Sequence, residues 1–229
     1  MNLLQFVTHS VLDIFFPNNC ELCQKHLTHK ESFICLECKF NLPYIDRHQL
    51  MLESIQKIFW GRIEIEKVYS VYNYQKGNQT QRILHEIKYK NKTKLAIHLG
   101  EIIGSLIPKN HTFDLIIPIP LHPKKLKKRG YNQSQLLAEG VQQTNAIPID
   151  NNSVVRTGIN QSQTQFSKYD RWDNVKGIFK LKDNNNLAGK HILIVDDVLT
   201  TGATIEACAA AILSKVDCKI SVATLATRV

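Results

Sequence analysis

The chain has 229 residues, 43% of them hydrophobic and 21% charged, which supports a packed core and excludes wholesale disorder. A formal net charge of +9 favours anionic partners (nucleic acid, phosphates or an acidic membrane surface) without choosing among them. No stretch approaches the run of about 18 apolar residues that spans a bilayer, so no membrane span is expected.

Residues 1–16, MNLLQFVTHSVLDIFF, carry no early Lys or Arg, and His9 and Asp13 interrupt the apolar run, which argues against a secretory signal. Leu4, Val7, Val11, Ile14 and Phe15 recur at helical spacing and predict an amphipathic helix packed on the protein. Four of the six cysteines follow at once: Cys20, Cys23, Cys35 and Cys38. With no export signal, the expected compartment is reducing and cytoplasmic, where clustered thiols point to metal more than to disulfides. Two C-x-x-C pairs present four sulfurs, enough to close a tetrahedral structural site, with zinc as the ion. His26 or His29 can stand in for one thiolate, and a redox dithiol or packed free thiols are the other readings. Cys208 and Cys218 sit in apolar patterns and are expected to be small buried side chains.

This divides the chain into an N-terminal unit over residues 1–43, a polar and weakly patterned connecting segment over 44–66, and a remainder, 67–229, in which strand and helix signals alternate. Strands are predicted at 68–74, 114–119, 177–181, 191–195 and 219–225. Helices are predicted at 79–89, 94–107, 132–144 and 204–213. Residues 156–174 are polar and aperiodic, too long for a simple connector, and read as a functional loop. A turn is expected at 184–186. The alternation predicts an α/β fold with a parallel sheet flanked by helices.

Residues 192–204 read ILIVDDVLTTGAT. Four apolar residues form a central strand with Asp196 and Asp197 at its carboxyl end, where open α/β sheets bind ligands. A helix then starts, and its free N–H groups and positive dipole end suit a phosphate. Gly202 lets backbone approach closely, and Thr200, Thr201 and Thr204 add hydroxyls. The two carboxylates can accept hydrogen bonds from neighbouring ribose hydroxyls and assist a magnesium ion. Neither GxxxxGK[ST] nor GxGxxG occurs, which removes the P-loop and dinucleotide readings. The bland alternative is an Asp-rich strand end followed by a threonine helix cap.

The segment resembles the loop of type I phosphoribosyltransferases that binds phosphoribosyl pyrophosphate (PRPP). The cysteine cluster after FFP, KYKNKTKLAIHLG (88–100), PIPLHPKKLKKRGYNQSQLLAE (118–139) and RTGINQSQTQFSKYDRWDNVKGIF (156–179) extend the resemblance to the ComF family over most of residues 15–226. It implies a type I phosphoribosyltransferase-like domain behind a small zinc ribbon. Asp196 and Asp197 would hold ribose hydroxyls, and Val198, Leu199, Thr200, Thr201, Gly202, Ala203 and Thr204 would form the phosphate loop. The turn at Pro120 would face pyrophosphate, with Arg129, Gln163 and Arg171 as candidates to cover it. A solvated basic loop is the bland reading of those three.

Lys124, Lys125, Lys127 and Lys128 crowd beside Arg129, and Lys88, Lys90, Lys92 and Lys94 form a second cluster. With Tyr89 and Tyr131 nearby, both runs can track and stack a single strand; a solvated face, or charges serving PRPP, are the alternatives. The resemblance links the chain to natural competence, single-stranded DNA uptake and partners such as uptake helicases or processing proteins. Three classes stand: a PRPP-dependent transferase of unknown acceptor, a DNA-handling protein that senses PRPP or nucleotide without turnover, and a scaffold that chiefly binds partners.

Overall fold

The computed structural model describes residues 18–45, 54–157, 177–182 and 186–228. The predicted helix over 1–16 and most of the turn at 184–186 lie outside the described residues, as do Gln163 and Arg171.

A parallel four-stranded sheet carries the fold, in the spatial order β1 (Val68–Asn73), β6 (Lys219–Thr227), β5 (His191–Leu199) and β2 (Leu115–Pro118). These strands are apolar almost throughout because both faces are covered. One face packs on α2 (Gln79–Tyr89), α3 (Thr93–Leu106) and α5 (Gln133–Asn145), and the other on α6 (Ala203–Leu213). The starts of α2 and α5 follow from side-chain caps: Asn78 accepts from the Gln81 N–H and Asn132 from the Ser134 N–H. Helices α3 and α5 touch backbone to backbone. A Cβ on Gly100 would stand 2.1 Å from Leu137 O, and one on Gly140 2.0 Å from Ile97 O.

The strand predicted to end at Val195 runs to Leu199. It stays paired with β6 through Leu199↔Thr227, four residues past its last pairing with β2 at Pro118↔Val195. The long β6 ladder supplies partners for the extra backbone groups, so the two aspartates extend the strand instead of ending it.

Three further elements depart from the sequence reading. Residues 123–129, expected as a basic run after a turn, form helix α4 (Pro123–Arg129), with Pro123 in its first turn and left-handed Gly130 (φ 84°) at its C-cap. The predicted strand at 177–181 narrows to β4 (Phe179–Leu181). It pairs antiparallel with the unpredicted β3 (Val154–Arg156), apart from the parallel sheet. Three residues are too few for a periodicity to show. The polar-looking segment 44–66 proves structural. Its Ile45 N–H donates to Val71 O and the Asn73 N–H to Pro43 O, which covers the outer edge of β1, while Ile55, Phe59 and Ile65 are buried.

Residues 18–45, with the short helix α1 (Leu36–Phe40), pack on α2 through one continuous core that joins Leu22, Leu27 and Ile34 to Ile83, Leu84 and Ile87. Arg82 donates to Leu22 O at 2.7 Å and Lys92 pairs with Glu21 at 2.8 Å.

Candidate functional site

The far end of β5 forms a ledge. At Asp196 and Asp197 the strand still has β6 on one side, but β2 has ended on the other. Both aspartates are buried. Asp196 Oδ1 accepts from Ser134 Oγ at 2.8 Å and from the Asp197 N–H at 2.9 Å. Burial, and then the neighbouring Asp197, push the Asp196 carboxyl up to about 7, against the pull of these donors and of Lys88. Lys88 Nζ, from the last turn of α2, stands 2.8 Å from Asp197 Oδ2. That contact is a short ion pair, and Asp197 Oδ2 is itself buried. The Asp197 carboxylate thus meets an ammonium at Oδ2, beside a sheet edge that has just opened.

Beyond the pair, the Val198 and Leu199 side chains pack into the two cores, so these residues offer the ligand backbone only. Thr200 and Thr201 are exposed at the turn, and Ala203 and Thr204 open α6. Gly202 is buried with φ 77°. A Cβ there would lie 2.9 Å from Ile58 Cγ2 and 3.0 Å from Phe59 Cε1, so the close approach that requires glycine comes from the protein's own segment 54–66. Arg62 of that segment donates to Thr201 O at 3.1 Å and pairs with Glu206 in the first turn of α6. The turn at 200–202 is therefore braced from behind.

Pro120 lies just beyond β2, where Ile119 N–H donates to Val195 O and Asn132 Nδ2 donates to Ile119 O at 2.9 Å. Arg129 hydrogen-bonds Gln133 and lies 5.2 Å above the Tyr89 ring. Thr157, at the start of the loop predicted over 156–174, donates from Oγ1 to Gly177 O at 2.9 Å. At the foot of that loop Arg156 stacks on Phe179, its Nε buried without a hydrogen-bond partner among the described residues. Burial lowers the pKa of its guanidinium, and Asp196 acts in the opposite sense.

Lys124, Lys125, Lys127 and Lys128 are all exposed on α4, with no acidic residue in that helix. The second cluster is split: Lys88 turns inward to Asp197, Lys92 is spent on Glu21, and Lys90 and Lys94 face solvent. Tyr89 is 65% exposed, with Arg129 and the His85 ring against it, whereas the Tyr131 hydroxyl is committed to Ile87 O at 2.8 Å.

The sulfurs of Cys20, Cys23, Cys35 and Cys38 all lie within 4.8 Å of one another, and this cluster can hold a metal ion. Cys23 Sγ and Cys35 Sγ are 3.7 Å apart, close to the ~3.8 Å expected of two sulfurs that each sit about 2.3 Å from one tetrahedral zinc. His26 and His29 are exposed and outside the cluster. Burial raises the Cys20 thiol, but backbone N–H groups of Cys35, Cys23 and Leu22 outweigh it and bring Cys20 down to about 7. Burial and the neighbouring sulfurs push Cys38 up. Cys208 is fully buried and Cys218 partly so, away from the cluster.

The parallel sheet, acidic ledge and threonine loop define a protein of the phosphoribosyltransferase class, and residues 127–229 match the phosphoribosyl transferase domain family. The chain is 38% identical over 193 residues to Competence protein F of Haemophilus influenzae, covering 81% of this chain and 80% of that one. It is 30% identical over 198 residues to the DNA utilization protein YhgH of Escherichia coli O6:H1, with the same coverage. It is 29% identical over 150 residues to Competence protein ComFC of Bacillus subtilis, covering 64% of this chain and 58% of that one. The chain belongs to the ComF family. No helix among the described residues is long and apolar enough to cross a membrane.

Proposed function

We propose that this protein binds PRPP at the β5 ledge and acts in the uptake or use of DNA, taken as a single strand; the relatives' names, competence protein and DNA utilization protein, support the DNA part. The observation that carries the ligand reading is the buried acidic pair at the end of β5, followed by a phosphate-type helix N-terminus. In this reading Asp196 and Asp197 take the ribose hydroxyls. Residues 198–204 take the sugar's phosphate, and Pro120, Arg129, Gln163 and Arg171 serve the pyrophosphate side. The carboxylates are hard oxygen donors of the kind magnesium accepts. With Lys88 already on Asp197 they do not form a dedicated cage, so magnesium would be shared with the phosphates of PRPP. When bound it offsets the charge of the pyrophosphate.

The four cysteines would hold a structural zinc, which completes a module too small for a core of its own. The exposed lysines of α4, with Tyr89 beside them, are the surface proposed for single-stranded DNA. Reduced thiolates fit a cytoplasmic setting, where an uptake helicase or processing proteins would be its partners. A transferase reaction, with loss of pyrophosphate to an acceptor, is the alternative to ligand sensing.

A thermal melt tests the ligand half: magnesium and PRPP together raise the melting temperature of the wild type and leave Asp197→Ala unchanged. No shift in the zinc-loaded wild type counts against it. For the DNA half, anisotropy of a labelled oligonucleotide should show salt-sensitive binding that weakens when Lys124, Lys125, Lys127 and Lys128 are neutralised. Unchanged binding removes α4 from the proposal.

A further inference from the structure

Lys88 belongs by sequence to a run of lysines, yet the fold separates it from them. Its ammonium lies 2.8 Å from Asp197 Oδ2, with 22% of its side chain exposed against 5% for Asp197. Helix α2, which carries it, is fixed to the cysteine module by the Arg82–Leu22 hydrogen bond, the shared core at Ile83 and Ile87, and the Lys92–Glu21 pair just past its end. Lys88 is thus held at the ledge by a different part of the chain from the one that supplies the acids.

We propose that Lys88 is a positioning residue of the ribose-phosphate site, the standing counter-charge that lets the Asp196–Asp197 pair receive a polyanionic sugar phosphate. This rests on the PRPP reading of the ledge. Two adjacent carboxylates repel an incoming pyrophosphate and repel each other. The remaining charged group that acts on Asp196 is Arg156, on the loop side, with Ser134 as a neutral donor and Cys208 as a buried thiol facing it. Lys88 alone makes a close ion pair with Asp197 among the described residues. It also keeps the Asp197 carboxylate turned toward α2, with Oδ2 against the ammonium, so the ligand meets an ordered acidic pair of reduced negative charge.

The test titrates PRPP in magnesium chloride into zinc-loaded full-length protein by calorimetry, with wild type, Lys88→Met and Lys88→Arg compared. Lys88→Met should bind about tenfold or more weakly, and Lys88→Arg should recover most of the loss because charge is what matters. Melting curves accompany each titration. If Lys88→Met does not fold, Lys88→Gln retains a donor for Asp197 without the charge and takes its place. Affinity equal to wild type in the uncharged variant overturns the proposal. So does an equal loss in Lys88→Arg and the uncharged variant, which would mark a packing role. Absence of binding by wild type itself is a different result: it overturns the PRPP reading on which the proposal stands.

Discussion

Ser134 Oγ donates to Asp196 Oδ1 at 2.8 Å, which ties the first turn of α5 to the acidic ledge of β5. Ser134 is fully buried, and its N–H donates to the Asn132 side chain that caps α5 two residues earlier. The helix start therefore does two things: it satisfies the Ser134 N–H through the Asn132 cap and it aims the Ser134 hydroxyl at the carboxylate. Ser134→Ala should cost about 1–3 kcal/mol, because Asp196 loses a buried donor. It should also raise the Asp196 carboxyl further, since this bond works to lower it. Urea unfolding at neutral pH measures the cost, and an unchanged midpoint would show that the bond carries no net weight.

The raised Asp196 carboxyl makes stability depend on pH in a definite direction. The folded protein holds the proton up to about pH 7, while the unfolded chain releases it near the ordinary carboxyl value of 3.8. Between these values the native state binds more protons, so stability falls as pH rises from the lower to the higher. Asp196→Asn should remove that portion of the slope. Melting temperatures of wild type and variant, taken in steps across this window, should converge toward the acid end and separate toward neutrality, with the variant the more stable. Parallel curves would contradict the assignment.

Gly202→Ala is expected to be damaging for two reasons at once. Its φ of 77° is strained for any residue with a Cβ, and that Cβ would press on Ile58 and Phe59 at 2.9–3.0 Å. The combined cost is about 2–4 kcal/mol. A chemical denaturation curve should show it, and a shift below about 0.5 kcal/mol would mean that segment 54–66 yields easily.

Removing the metal should reach past the cysteine module. Cys20, Cys35 and Cys38 lie in the same core as Ile83, Ile87 and Leu95, so loss of a four-sulfur site loosens α2 as well. One zinc per chain is expected by elemental analysis, and chelation or Cys38→Ser should lower the melting temperature of the whole protein. A full complement of zinc in Cys38→Ser, or an unshifted melt, would contradict a four-cysteine site.

Much of the architecture was legible because its elements are long and apolar. Residues 79–89 matched a helix end to end, and the strand at 191 was placed by its ILIV run, though its length was not. The end of β5 depends on how far β6 runs beside it, a pairing across the sheet that local pattern does not encode. Segment 44–66 reads as polar because its buried residues, Ile45, Ile55, Phe59 and Ile65, are too far apart to form a period. The acidic pair and the loop were visible as a string. Lys88, Arg62 and Ser134 were not, since each joins the site from another element; Lys88 in particular looks like its solvent-facing neighbours until α2 is packed.

The central claim is that the β5 ledge holds PRPP. Calorimetric titration of PRPP in the presence of magnesium, with wild type set against the Asp196→Ala/Asp197→Ala double variant, tests it most directly. Saturable binding to wild type that disappears in a folded, zinc-loaded double variant is the expected result. No binding to zinc-loaded wild type, or equal binding to both proteins, would contradict it.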